Sequence, residues 1–224
     1  CSSSPGRARP VKTKAIKPIS PRLIMTEAIP TLADYSLRLY TTALSGETPV
    51  FIRDLTDVAQ AWQRSTRING GFWWGSFIVN NQSIMEDFFY NRMGCHIEER
   101  FGGAVTWDGM VYEMDFDNTE GAPQLNVGVA GYVATANWRF ITTATANDAT
   151  GNISSWISDI VTNHCSDYLT IGRITTNTLQ VKRTLSHDAR AWDAIMDAVN
   201  LGDANYNPWQ VYVDVGRRFF YEQI

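Results

Sequence analysis

The chain is poor in the residues that build chemical sites. Its 224 residues include three cysteines and three histidines. Three thiols cannot form a complete disulfide framework. Cys95 and Cys165 sit in apolar or mixed surroundings and read as buried free thiols. No C-x-x-C or H-x-x-x-H pair is present. The nearest approaches to a zinc site are Cys95-His96-x-Glu98 and His164-Cys165. Adjacent residues of a strand point to opposite faces, so Cys95 and His96 cannot readily share one ion. No G-x-S-x-G context exists for a nucleophilic serine, and His187-Asp188 reads as the first turn of a helix. Gly70-Gly71 and Gly102-Gly103 lack the Lys-Ser/Thr or helix start of a phosphate-cradling loop. No apolar run approaches the roughly 18 residues of a membrane helix. There is no internal repeat and no heptad run. With these classes set aside, the sequence predicts no catalytic residue, no metal and no cofactor, and it directs attention to surfaces.

What is present is aromatic residues and unevenly placed charge. Aromatics make up 12% of the chain and include eight tryptophans. In such numbers they serve interfaces as well as cores. The net charge is −4, but Arg7, Arg9, Lys12, Lys14, Lys17 and Arg22 place six basic groups and no acid in the first 22 residues. The remainder therefore carries −10. A basic segment on an acidic body suits nucleic acid, a membrane surface or an acidic neighbouring subunit; the alternative is a solvated tail.

Periodicity predicts an α+β, β-rich fold in three parts. Residues 1–21, with four prolines among Ser, Lys and Arg, form a basic extended arm. Residues 22–142 form a barrel-like domain with one packed helix. Strands are expected at 22–26, 35–42, 58–68, 72–79, 96–101, 105–116 and 125–141, with a helix over 82–93 stopped by Gly94. Asn69-Gly70-Gly71 marks one hairpin, and Trp107-Asp108-Gly109-Met110 fits the loop of another. Residues 143–224 form an α+β domain. Its helices are expected at 152–165 and, capped by Ser186, at 187–200; its strands at 168–174 and 179–185; and a hairpin closes it over 209–221.

Two groups of residues stand out as interface candidates. Trp73 and Trp74 are adjacent on a strand, so they face opposite sides: one enters the core and the other either lies under the helix or forms an interface, while the row Phe72, Trp73, Trp74 and Phe77 could stack on sugars or bases. Trp107 joins them. Glu113, Asp115 and Asp117 share one strand face and form an acidic row suited to a basic partner or Ca²⁺, or simply to water. The arm contributes Arg7, Arg9, Lys12 and Lys14. A hydrolase using two carboxylates of the acidic strand is the enzymatic alternative.

Three stretches give a family resemblance: GGFWWGSFIVNNQSIMEDFFYNRMGCHIEERFGGAVTWDGMVYEM (residues 70–114), NISSWISDIVTNHCSDYLTIGRI (residues 152–174) and SHDARAWDAIMDAVNLGDANYNPWQVYVDVGRRFFYE (residues 186–222). Together they resemble the tail and baseplate hub proteins of tailed bacteriophages, the late-control D-like group, over roughly residues 50–222. The resemblance implies a structural virion protein: a ring-forming homo-oligomer, typically a trimer, that joins the tail tube to the central spike or fibre. It implies other tail or baseplate subunits as partners, and DNA passing through the lumen without specific binding. Two features depart from the family pattern: the basic arm, and an end at Ile224 where family members continue into a further barrel segment. Cys1-Ser-Ser-Ser also resembles the mature end of a bacterial lipoprotein, so the competing expectation is an envelope-anchored glycan-binding module held through Cys1.

Overall fold

The computed structural model describes residues 34–44, 46–118, 122–141, 146–184 and 188–224. The arm, the strand expected at 22–26, Ser186 and His187 lie outside the described residues, and the helix expected from 187 begins at Ala191, because Asp188, with φ +71°, lies in a turn before it. In chain order the elements are β1 (Tyr35–Thr42), β2 (Phe51–Asp54), β3 (Gln60–Arg67), β4 (Gly70–Val79), α1 (Gln82–Asn91), β5 (Cys95–Phe101), β6 (Ala104–Asp117), β7 (Gln124–Ala130) and α2 (Val133–Trp138). They continue with β8 (Ala146–Asn152), α3 (Ile153–Ile160), β9 (Thr170–Ile174), β10 (Gln180–Thr184), α4 (Ala191–Asn200), β11 (Trp209–Asp214) and β12 (Arg218–Gln223). The fold is α+β and β-rich, as periodicity indicates.

A mixed ten-stranded sheet runs in the order β2-β1-β5-β6-β7-β4-β11-β12-β9, with β3 paired to β4 off this path. Its first half curls around an apolar core. Alternation sends Leu37 and Leu39 of β1, Ile97 of β5, Trp107 and Val111 of β6, Leu125, Val127 and Val129 of β7, and Phe77 and Val79 of β4 to one face, all essentially without exposure. Trp62 of β3 packs on Trp107 with ring centroids 5.4 Å apart, and Phe72 lies at 5.9 Å. Burying a ring of this size removes roughly 200 Å² from water, worth about 5 kcal/mol gross. The curl brings β3 back toward β5: Trp62 donates to Glu99 at 2.9 Å and Arg64 pairs with the same carboxylate at 2.6 Å. Among the described residues, however, no ladder joins β3 to β1 or β2, so the barrel expected from sequence does not close. Helix α1 is started by Asn81, whose side chain accepts from the Ile84 N–H at 3.2 Å, a cap worth about 1 kcal/mol. It presses Ile84, Met85 and Phe88 into the core.

Two expectations of local structure are corrected. Residues 107–110 form no turn; β6 runs unbroken through them. The reversal lies at Gly102-Gly103, both with positive φ (55° and 82°), as a two-residue hairpin requires. Gly109 serves a different need. A Cβ there would sit 2.5 Å from the Trp107 ring and 2.6 Å from the Ala130 carbonyl. The strand expected over 125–141 stops at Ala130, where α2 takes over after Gly131. The Gly131 N–H donates to the Trp73 carbonyl at 2.9 Å, and a Cβ on Gly131 would fall 2.0 Å from the Phe72 carbonyl oxygen. That approach takes the chain out of the sheet at the end of β7. β2 is a four-residue strand on the outer edge of β1 that has no counterpart among the expected strands.

The second core lies under β11 and β12. α2, α3 and α4 bury Val133, Ala136, Ile153, Trp156, Ile157, Ile160, Ile195 and Val199 against Val211, Val213, Phe219 and Tyr221. α3 passes into a π-helical turn at Val161–Cys165. Asn177 is a buried amide with its groups used: it donates to the Gly202 carbonyl (2.8 Å) and the Tyr221 hydroxyl (2.7 Å) and accepts from the Leu179 N–H (3.0 Å). It ties the loop after β9 to the end of α4 and to the closing hairpin.

β4 belongs to both cores. Its residues from Trp74 to Val79 pair with β7, whereas Gly70 and Gly71 pair in parallel with Tyr212 and Val213 of β11. Gly71 has φ +70°, and a Cβ on it would lie 2.3 Å from the Val213 carbonyl oxygen. Gly71→Ala should therefore cost about 3 kcal/mol or more, from backbone strain plus a forced separation of β4 and β11. Gly46→Asn, at φ +81° with open space around it, should cost under about 1 kcal/mol. Urea unfolding midpoints of the two variants check this; equal midpoints would contradict the shared-strand account.

Candidate functional site

The structure separates the residues singled out by sequence. Trp107 is fully buried and packs on Trp62 and Phe72, so it offers no surface to a partner. This corrects its reading as an interface residue. Its ring is needed where the curled sheet would otherwise be hollow. Trp73 and Trp74 do face opposite ways. Trp73 packs against the second core, with its ring 6.4 Å from Trp192 and the Arg67 guanidinium 3.9 Å above it. Trp74 lies on the outer face. Arg7, Arg9, Lys12 and Lys14 lie outside the described residues.

Trp74, Glu113 and Asp115 come together. Register places Gln63, Ser76, Gly128 and Glu113 in one row across β3, β4, β7 and β6, and Ile78, Asn126 and Asp115 in the next. These side chains line a groove of about 370 Å³ on the outer face of the sheet. Gly128 makes its floor: a Cβ there would sit 2.8 Å from the Trp74 ring, so only glycine lets the indole lie flat across β7. Glu113 and Asp115 are exposed and, among the described residues, make no ion pair. Sequence reasoning missed the rest of the aromatic row. Tyr112 meets Trp74 edge-on at 6.0 Å and stacks on Trp138 at 4.8 Å. A shift in register between Val111 and Glu113 turns Tyr112 outward beside Glu113, and simple alternation gives no warning of such a bulge. A second exposed aromatic group, Phe89, Tyr90 and Phe116, lies where α1 meets the end of β6, with centroids 5.0 Å and 5.2 Å apart.

Between the cores runs a polar seam. Glu98 and Asp108 stand directly opposite each other on β5 and β6. Like charges so placed are unfavourable unless each finds support. His96 bonds Glu98 through Nε2 at 3.2 Å and the Tyr132 hydroxyl through Nδ1 at 2.7 Å. Arg100 pairs with Glu98 at 2.7 Å. Burial alone would raise the Glu98 carboxyl, but hydrogen bonds from His96, Tyr40 and Arg100 outweigh it and hold it at about 2. Asp108 is 1% exposed and accepts from the Gly216 N–H at 2.7 Å, while its other oxygen has no partner. Burial is the largest effect on Asp108 and pushes it up to about 6 against the opposing pull of His96 and Gly216. Cys95 points into the first core while His96 points to Tyr132, so the two do face opposite sides. The seam was hidden in the sequence because Asp108 reads as a turn residue there. The row His96, Glu98, Arg100 at every second position was its one signal.

No protein-family model matches this chain. No curated protein matches it. Among solved structures, the fold is similar to that of a tail protein from Neisseria meningitidis MC58, with a TM-score of 0.48 and 9% identity, covering 84% of this chain and 50% of that one. It is also similar to the 43 kDa tail protein of prophage MuSo2 from Shewanella oneidensis, with a TM-score of 0.50 and 10% identity, covering 84% of this chain and 54% of that one. The chain thus spans about half the length of each, and the likeness is one of fold.

The seam makes stability depend on pH in two windows of opposite sign. Asp108, raised in the folded state, favours folding below its ordinary value of 3.8, and that contribution is lost as pH rises through about 6. Glu98, lowered, favours folding above its ordinary value of 4.5, and that contribution is lost as pH falls toward about 2. Asp108→Asn keeps an acceptor for Gly216 and removes the buried charge. The variant should be more stable than the parent at pH 8 by up to about 3 kcal/mol. It should also lack the parent's decline between pH 4 and 7 in denaturant titrations. A variant that is less stable at pH 8 would show that the Asp108 charge supports the fold.

Proposed function

We propose that this chain is a structural subunit of a bacteriophage tail, acting in the virion as a hub-like baseplate adaptor between the tail tube and the central spike or fibre. The observation that carries the reading is the fold likeness to the 43 kDa prophage tail protein over 84% of this chain. The surface gives it physical support. β2 and β9 end the large sheet, and among the described residues their outer edges have no strand partner, so they are open to pairing with a neighbouring subunit. Tyr112 and Trp138, and separately Phe89, Tyr90 and Phe116, present aromatic area that a subunit contact would bury. In the ring, the −10 carried outside the first 22 residues would keep DNA phosphates sliding past rather than binding.

The proposed state is a closed ring, a trimer, built by copies of this chain alongside other tail subunits. Light scattering coupled to size exclusion, with negative-stain electron microscopy of the same fractions, tests it. A particle of three protomers with a central opening is expected. A monomer at every concentration, with and without a co-expressed tail-tube protein, overturns the ring.

A further inference from the structure

The outer groove carries two carboxylates that no ion pair answers among the described residues. Its lining is an indole face (Trp74), two carboxylates (Glu113 and Asp115), two amides (Gln63 and Asn126) and one hydroxyl (Ser76). It contains no cation, and neither carboxylate has an ionic partner among the described residues. Glu113 and Asp115 are two apart on one strand, so their carboxylates rise from the same face about 7 Å from each other. The complementary ligand is an extended chain with basic residues at every second position. Such a ligand would set a guanidinium or ammonium beside each carboxylate and one more over the indole.

The chain carries that pattern itself. Arg7-x-Arg9 and Lys12-x-Lys14 each repeat a basic residue at spacing two, with Pro10 between the pairs. Proline disfavours helix, and in an extended backbone residues two apart share a face. We propose that the groove formed by Trp74, Glu113 and Asp115 is the docking site for the basic segment of this same chain, residues 7–14. The Lys12 and Lys14 pair lies along the acidic row, and the amides of Gln63 and Asn126 bond the segment's backbone. This assignment stands on the groove's geometry and on charge complementarity, and it does not require the tail reading.

Carbodiimide cross-linking of the full chain, read by peptide mass spectrometry, tests it. This reagent joins an ammonium to a carboxylate only where the two meet. Lys12 and Lys14 should link to Glu113 and Asp115. Raising the salt from 50 to 500 mM should lower the yield several-fold, because the Debye length shrinks toward contact distance. In a Glu113→Gln/Asp115→Asn variant those links cannot form. The segment should then be released, and its linking to every other carboxylate should stay below the parent's groove yield. Lys12 and Lys14 linking in the parent mainly to carboxylates outside the groove overturns the assignment. So does occupation of the groove by a soluble glycan that leaves the Lys12 and Lys14 links unchanged. Mixing unlabelled and ¹⁵N-labelled protein tells whether the links run within one chain or between copies. Either result supports the docking site, whereas within-chain links on a monomeric particle would sink the ring and leave the docking site standing.

Discussion

The structure depends on backbones coming closer than any side chain would permit. β4 is shared by two cores. It can be shared because Gly71 lets β11 run against its first residues and Gly131 lets the chain after β7 cross its backbone at Phe72. These two contacts decide where one ladder hands over to the next. Once they are made, Trp74 to Val79 pair with β7, Phe72 packs into the core of the curled sheet, and Trp73 packs against the helices of the second core. Gly109 and Gly128 extend the same device to side chains: Gly128 leaves room for the Trp74 indole to lie across a neighbouring strand, and Gly109 leaves room for the Trp107 ring along its own strand. The aromatic richness of the chain and its glycines are therefore one design, in which rings occupy the space that missing Cβ atoms leave.

Much of this was legible in the sequence, and what was not has physical reasons. β1, β4, α1, α3 and the β11–β12 hairpin follow from strong periodicity with a cap or a turn at their ends, whereas the stripe of α4 locates the helix but not its start, which is at Ala191 with no side-chain cap. β2 was not legible because four largely exposed residues on a sheet edge carry no alternation. The Trp107-Asp108-Gly109 stretch was read as a turn because its composition is that of one. Its tertiary role overrides this, since Trp107 is needed inside, Asp108 is claimed by Gly216, and Gly109 is needed to fit the Trp107 ring. Residues 131–138 were read as more strand because small residues alternate there as they do in β7. Gly131 breaks the pattern through a contact with β4 that no local rule contains.

The candidate surface was legible in part. Parity alone separates Trp73 from Trp74 and aligns Glu113 with Asp115. It could not bring Trp74 to Glu113, because that meeting requires β7 to lie between β4 and β6 with Gly128 in the right row. The buried seam was harder still. Glu98 and Asp108 lie ten positions apart, and Gly216 more than a hundred further on. Their opposition appears only when β5 and β6 pair and the closing hairpin comes down on them.

The glycine contacts also bear on how such a chain drifts over generations. Strand faces that meet water or a partner can exchange nearly every residue, and core positions can exchange one apolar residue for another of similar volume. A position where a Cβ would fall 2.0 or 2.3 Å from a carbonyl oxygen has no neighbouring sequence to move to. A lineage obeying these constraints would lose its recognisable sequence long before its shape. In such a lineage the columns that persist would be the joints between backbones, and a search for distant kin would gain more from Gly71, Gly109, Gly128 and Gly131 than from the tryptophans that first draw the eye.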